Sequence, residues 1–171
     1  MLKSTCCFTG HRPENLFANC DESELYQRIL KAVENAVSDG YQYFLCGGSR
    51  GADFLFAEAV IYLRTKYQHI KLNFVLPCRD QAEQWSREDR DCYSRLLNSA
   101  DEVICLNDKY KSGCMHQRNR YMVDRSTLLI AAYNGTTGGT EYTYKYAQKK
   151  HLRIVDTLDR IIEKTEQLSF L

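Results

Sequence analysis

The sequence predicts an α/β fold, a three-layer domain with a mainly parallel sheet of about six strands and helices on both faces. Three observations carry that expectation. Six short apolar runs of strand length recur along the chain, helical patterns separate them, and glycine-bearing loops follow several of the runs. Strict alternation of β and α segments calls for parallel strands joined by right-handed crossovers, which place helices over both faces. The 171 residues suit a single domain spanning 1–171, since no linker, internal repeat or low-complexity stretch divides them.

Thr5–Thr9 is the expected first strand. The helix after it opens with Asp21 as N-cap and Glu24 three residues on, carries Leu25, Ile29, Val33 and Val37 on one face, and meets Gly40 just past its end. A second strand over Tyr41–Cys46 leads to a helix from about Gly51 to Tyr67, with Ala52, Leu55, Ala59 and Leu63 toward the sheet. After a third strand at Ile70–Leu76, a helix is expected over roughly Gln81–Ser99. Its charged run from Arg87 to Asp91 would form a solvated face that Trp85 anchors to the sheet. Glu102–Leu106, Thr127–Tyr133 and Leu152–Val155 complete the strands. Helices over Met115–Asp124 and Thr140–Lys149 connect them, and a tail helix from Thr157 to about Leu168 closes the chain.

Composition narrows the function. The chain is 44% hydrophobic and 26% charged, and 23 Lys and Arg balance 22 Asp and Glu to a net charge of +1. A general polyanion binder needs a larger excess, so nucleic acid is disfavoured as a partner and any anion site must be local. No apolar run approaches the ~20 residues of a membrane span, and the basic-then-apolar order of a signal peptide is missing. The chain therefore reads as cytosolic, with no membrane partner. Eight scattered cysteines form no C-x-x-C pair and stand near no zinc-like histidine spacing, so no metal or cofactor is called for. Cys6, Cys7, Cys46 and Cys105 lie inside strand-like runs, where a reduced cysteine packs as a small hydrophobe. A homo-oligomer is compatible with all of this.

In a parallel sheet of this kind, ligands bind outside the carboxyl ends of the strands. The segments that should open there are Thr9-Gly10-His11-Arg12-Pro13, Gly47-Gly48-Ser49-Arg50-Gly51-Ala52-Asp53, Pro77-Cys78-Arg79-Asp80, and Asn134 to Glu141 with Gly138, Gly139 and Thr140. Both the Gly47–Gly51 and Gly135–Thr140 loops run from a strand straight into a helix. Glycine lets main-chain N–H groups approach an anion, and the helix start adds unpaired N–H groups and a positive dipole end. Two such cradles on one edge suit a phosphorylated ligand. Neither is a P-loop or a dinucleotide fingerprint. Arg50 could fork onto a phosphate or pair with Asp53 and Glu58, Asp53 fits a helix-start carboxylate, and His11 with Arg12 at a strand tip suits ligand contact.

Phe8-Thr9-Gly10-His11-Arg12-Pro13, Cys46 to Asp53, Arg118-Asn119-Arg120-Tyr121-Met122-Val123-Asp124 and Gly138-Gly139-Thr140, taken in order, resemble the bacterial YpsA-like family. That family lies in the SLOG superfamily, Rossmann-like proteins named for DNA-processing protein A and the Lonely Guy enzymes. The resemblance implies a Rossmann-like domain that binds a nucleotide or nucleotide-derived ligand, with a sensor or regulatory role. It also implies two alternatives: an N-glycosidase acting on a nucleoside monophosphate, and a single-stranded nucleic-acid binder. Similarity to the Lonely Guy phosphoribohydrolases gives Arg118 the candidate role of phosphate or leaving-group contact and Glu141 that of the acid, with Asn119 beside them. Those enzymes place their glutamates two and three positions after the threonine, where this chain has Tyr142 and Thr143. Glu141 comes one position after Thr140, a shift of about 100° around a helix.

Overall fold

The computed structural model describes residues 2–16 and 21–158. Six parallel strands form one sheet: β1 (Thr5–Gly10), β2 (Tyr43–Cys46), β3 (Lys71–Leu76), β4 (Glu102–Cys105), β5 (Leu128–Ala132) and β6 (Arg153–Asp156), in the spatial order β4-β3-β2-β1-β5-β6. Helices alternate with them: α1 (Pro13–Leu16), α2 (Glu22–Ser38), α3 (Ala52–Arg64), α4 (Arg87–Asn98), α5 (Cys114–Asp124) and α6 (Gly139–Lys149). This is a three-layer, Rossmann-like α/β fold. Among the described residues no helix is long and apolar enough to cross a membrane.

Successive strands run outward from β1 to β4, and the chain then returns to the other side of β1 for β5 and β6. With right-handed crossovers, that reversal puts α2, α3 and α4 on one face and α5 and α6 on the other. The core divides accordingly. Cys6, Phe8, Phe44, Phe74 and Ile130 pack beneath α2 and α3, with Phe8 stacked on Phe56 of α3 at 4.6 Å and 11°. Cys7, Leu45, Val75, Leu129 and Ala131 pack beneath Met122 and Val123 of α5 and Ala147 of α6. Adjacent strand residues point to opposite faces, so the vicinal Cys6 and Cys7 belong to different cores. Burial pushes both thiols up, Cys7 to about 12. Cys46 is fully buried as well, whereas Cys105 on the edge strand is half-buried.

Local chemistry sets the helix limits. The Asp21 side chain caps α2 by accepting the Ser23 N–H at 3.1 Å. In α3 the buried stripe runs through Ala52, Phe56, Val60 and Leu63, leaving Leu55 only half-buried. The helix expected from Gln81 begins instead at Arg87, because Ser86 accepts the Asp89 N–H as its N-cap. The preceding residues form turns in which Gln81 is buried and donates to the Gly47 carbonyl and the Tyr93 hydroxyl. Trp85 lies in that turn and meets Phe54 and Tyr93 edge-on. Pro13 opens the four-residue α1, which the sequence pattern did not suggest. Nearly all of the expected tail helix, and Cys20, lie outside the described residues.

Candidate functional site

A cavity of about 320 Å³ opens where the strand order reverses, outside the carboxyl ends of β1, β2 and β5. Three loops supply it: Thr9–Arg12 after β1, Ser49 after β2 and Thr137–Thr140 after β5. Met115, Arg118 and Asn119 of α5 form another wall. Of the residues the sequence singled out, Gly10, His11, Arg12, Ser49, Asp53, Arg118, Asn119, Gly138, Gly139 and Thr140 line this cavity. Asn15, Met115 and Thr137 line it too. Asn15 follows Pro13 on α1, and that helix-start proline is the one signal that could have drawn attention to it.

The two glycine loops are built for different purposes. At Gly47 a Cβ would sit 2.4 Å from the Arg118 guanidinium, so this glycine makes room for the arginine. Gly48 has φ +71° and faces Phe74 and Tyr93, where a Cβ would lie 3.2 Å from each ring. Both serve packing. The N-terminus of α3 is also occupied within the protein: Ala52 N–H donates to the His11 carbonyl at 3.2 Å, and Ser49 N–H donates to Asp53 at 3.0 Å. Gly138 and Gly139 have nothing within 4 Å of a Cβ position. They start α6 at the cavity, and first-turn N–H groups have no acceptor within their own helix.

Deeper in the cavity, a buried guanidinium and a buried carboxyl face each other's field. Arg118 donates from Nε to Asn119 Oδ1 at 2.7 Å, from Nη1 to the Gly47 carbonyl, and from Nη2 to the Ser49 hydroxyl at 3.4 Å. Burial pushes the Asp53 carboxyl up to about 6, while Arg118, the Ser49 N–H and Arg12 pull it back down. Asp53 is the only carboxylate among the described residues lining the cavity. His11 is 3% exposed, and burial lowers its pKa. The Asn134 backbone N–H donates to its Nε2 at 3.2 Å, so the neutral ring carries its proton on Nδ1. The wall therefore offers the Arg12 and Arg118 guanidinium groups, an imidazole donor and the positive end of α6. This is an anion-attracting set with one titratable carboxyl within it.

Other singled-out residues lie elsewhere. Arg50 pairs with Glu14 at 2.8 Å and Asp89 at 3.7 Å, above the Trp85 ring, rather than with Asp53 or Glu58. Arg79 is exposed and pairs with Asp108 at 3.0 Å. Gly51 abuts the His11 carbonyl and Pro13. Glu141 accepts from Lys145 one turn along α6 and is not among the lining residues. Tyr142 lies parallel to His116 of α5, with ring centroids 3.9 Å apart, and its hydroxyl accepts from Arg120 at 2.7 Å.

A family model described as the YspA SLOG family matches residues 6–164. The chain is similar to the SPbeta prophage-derived protein YoqJ of Bacillus subtilis (strain 168), with 34% identity over 142 residues, 75% of this chain and 83% of that protein. It is also similar to a UPF0398 protein of Bacillus cereus (strain B4264), with 29% identity over 153 residues, 83% of this chain and 81% of that one. Among solved structures, DNA processing protein A from Helicobacter pylori, which has a single-stranded DNA binding mode, superimposes with a TM-score of 0.64 at 15% identity. That match covers 94% of this chain and 67% of the other. DNA processing protein A from Streptococcus pneumoniae gives 0.61 at 12% identity, over 90% of this chain and 50% of its own length. At these identities the likeness is one of fold.

Proposed function

The chain belongs to the YspA SLOG family, and from that premise we propose that it binds a nucleotide or nucleotide-derived phosphorylated ligand at the carboxyl edge of its sheet, as a sensor or regulatory protein. The observation that carries this reading is the N-terminus of α6, which begins at Gly139 on the cavity wall with no side chain over its first N–H groups. A phosphate there would accept main-chain N–H bonds and lie in the field of the helix dipole. Arg12, on the loop after β1, adds a cation from the facing wall. His11 Nδ1 and the Asn119 amide supply directional donors suited to sugar hydroxyl or phosphate oxygens.

Binding is favoured over glycosidic hydrolysis by what stands on α6. The resemblance to phosphoribohydrolases places a glutamate where this chain has Tyr142, and that ring is committed to His116 and Arg120. Glu141 is engaged by Lys145. A general acid must come within hydrogen-bond reach of the leaving group, and α6 brings no carboxylate to the cavity.

Calorimetry with nucleosides and their monophosphates tests the proposal, together with chromatography for released base. Affinity is expected only when the phosphate is present, with the nucleotide recovered intact. Equal affinity for nucleoside and nucleotide would remove the anion site as the basis of recognition. Release of free base dependent on Arg118 and Glu141 would replace binding by hydrolysis.

A further inference from the structure

The rings of His116 and Tyr142 are parallel to within 7°. Met115, next to His116, and Thr140, two residues before Tyr142, both line the cavity, which puts the stacked pair at its rim. The inner ring is fixed from several sides. Arg120 donates to the Tyr142 hydroxyl, and Tyr146, one turn along α6, lies parallel to Tyr142 at 3° with centroids 6.3 Å apart. Tyr146 in turn donates to Asp124 Oδ1 at 2.8 Å, tying the end of the ladder to α5. His116 is the terminal ring, is exposed, and has Tyr142 against one face only.

We infer that His116 is the base-stacking residue of this site: with the phosphate at the N-terminus of α6, the ligand's planar base lies on the outer face of the His116 ring. This rests on the nucleotide reading of the cavity and narrows it to ligands carrying an aromatic base. A rigidly backed plate holds a base at little ordering cost. Every base has a π-face, so stacking alone discriminates a nucleotide from a sugar phosphate more strongly than one base from another. A cage for the base alone would demand hydrogen-bonding groups around the ring. At this rim the neighbouring polar groups of Tyr142, Tyr146 and Arg120 are instead spent holding the ladder together.

The test compares ribose 5-phosphate with the four common nucleoside 5′-monophosphates by calorimetry on the whole chain. The wild type is expected to bind at least one monophosphate about tenfold or more tighter than ribose 5-phosphate. His116→Ala should remove about tenfold of that affinity and leave ribose 5-phosphate binding unchanged, while His116→Phe, which keeps a flat ring, should retain most of it. A monophosphate no tighter than ribose 5-phosphate, or a His116→Ala variant that binds both as the wild type does, would overturn the inference while leaving the anion site standing. Equal weakening of both ligands would make His116 a support of the phosphate site and overturn it too. A wild type that binds none of these probes would overturn the nucleotide reading itself and this inference with it. Because the His116 ring is exposed, a melting temperature within about 2 °C of the wild type is expected for His116→Ala.

Discussion

Asp53 lies 6% exposed at the start of α3 and titrates at about 6, because burial outweighs the help it receives from Arg118 and the Ser49 N–H. Between the ordinary value of 3.8 and about 6, the unfolded chain has lost a proton that the folded chain keeps. Stability therefore falls as pH rises through that window and levels off above it. Asparagine can accept the Ser49 N–H without a charge to desolvate. Asp53→Asn is accordingly expected to flatten this part of the pH–stability curve and to exceed the wild type by about 2 kcal/mol at pH 7.5. Urea unfolding from pH 4 to 7.5 measures it, and parallel curves for the two proteins would show that Asp53 is ionised in both states throughout. The sequence pattern marked Asp53 as a helix-start carboxylate, which it is. Its shifted titration depends on burial beside Arg118, 65 positions along the chain, and no local pattern encodes that.

At the scale of elements, the two strand-to-helix loops look equivalent in the sequence and behave oppositely in the fold. The first loop's glycines accommodate Arg118, Phe74 and Tyr93, whereas those of the second border open space. Gly48→Ala is therefore expected to cost about 1 to 3 kcal/mol of stability, since it combines a positive φ with crowding by two buried rings. Gly139→Ala should leave the melting temperature within about 2 °C but weaken phosphate-ligand binding severalfold, because its Cβ intrudes at the cavity wall. Thermal melts and calorimetry on the pair separate the two effects. A Gly48→Ala variant of unchanged stability would contradict the packing role. Helix starts were legible where a capping side chain sits just ahead, as at Asp21, and misplaced at α4. There the apolar and charged pattern runs on through residues 81–86, although Ser86 caps the helix.

Across the whole molecule, charge separates this chain from a general nucleic-acid binder even though the fold resembles DNA processing protein A. The net charge is +1, and many basic groups are already paired, among them Arg50, Arg64, Arg79, Arg95 and Arg153. Binding to a single-stranded oligonucleotide is expected to be weak and to vanish by about 0.15 M salt, with a shallow dependence on salt concentration. Fluorescence anisotropy across a salt series measures this, and tight retention at that ionic strength would restore the nucleic-acid reading. By itself the sequence determined the alternation of six strands with their helices, the parallel sheet and the edge on which loops with Gly10, Ser49 and Gly139 gather. Each of these follows from periodicity, capping and crossover handedness within a few tens of residues. Only the tertiary structure decided that Gly47 yields space to Arg118, that Arg50 is tied to Glu14 and Asp89, and that His116 stacks on Tyr142. Those contacts join segments far apart in the chain, and their geometry exists only once both layers of helices have packed against the sheet.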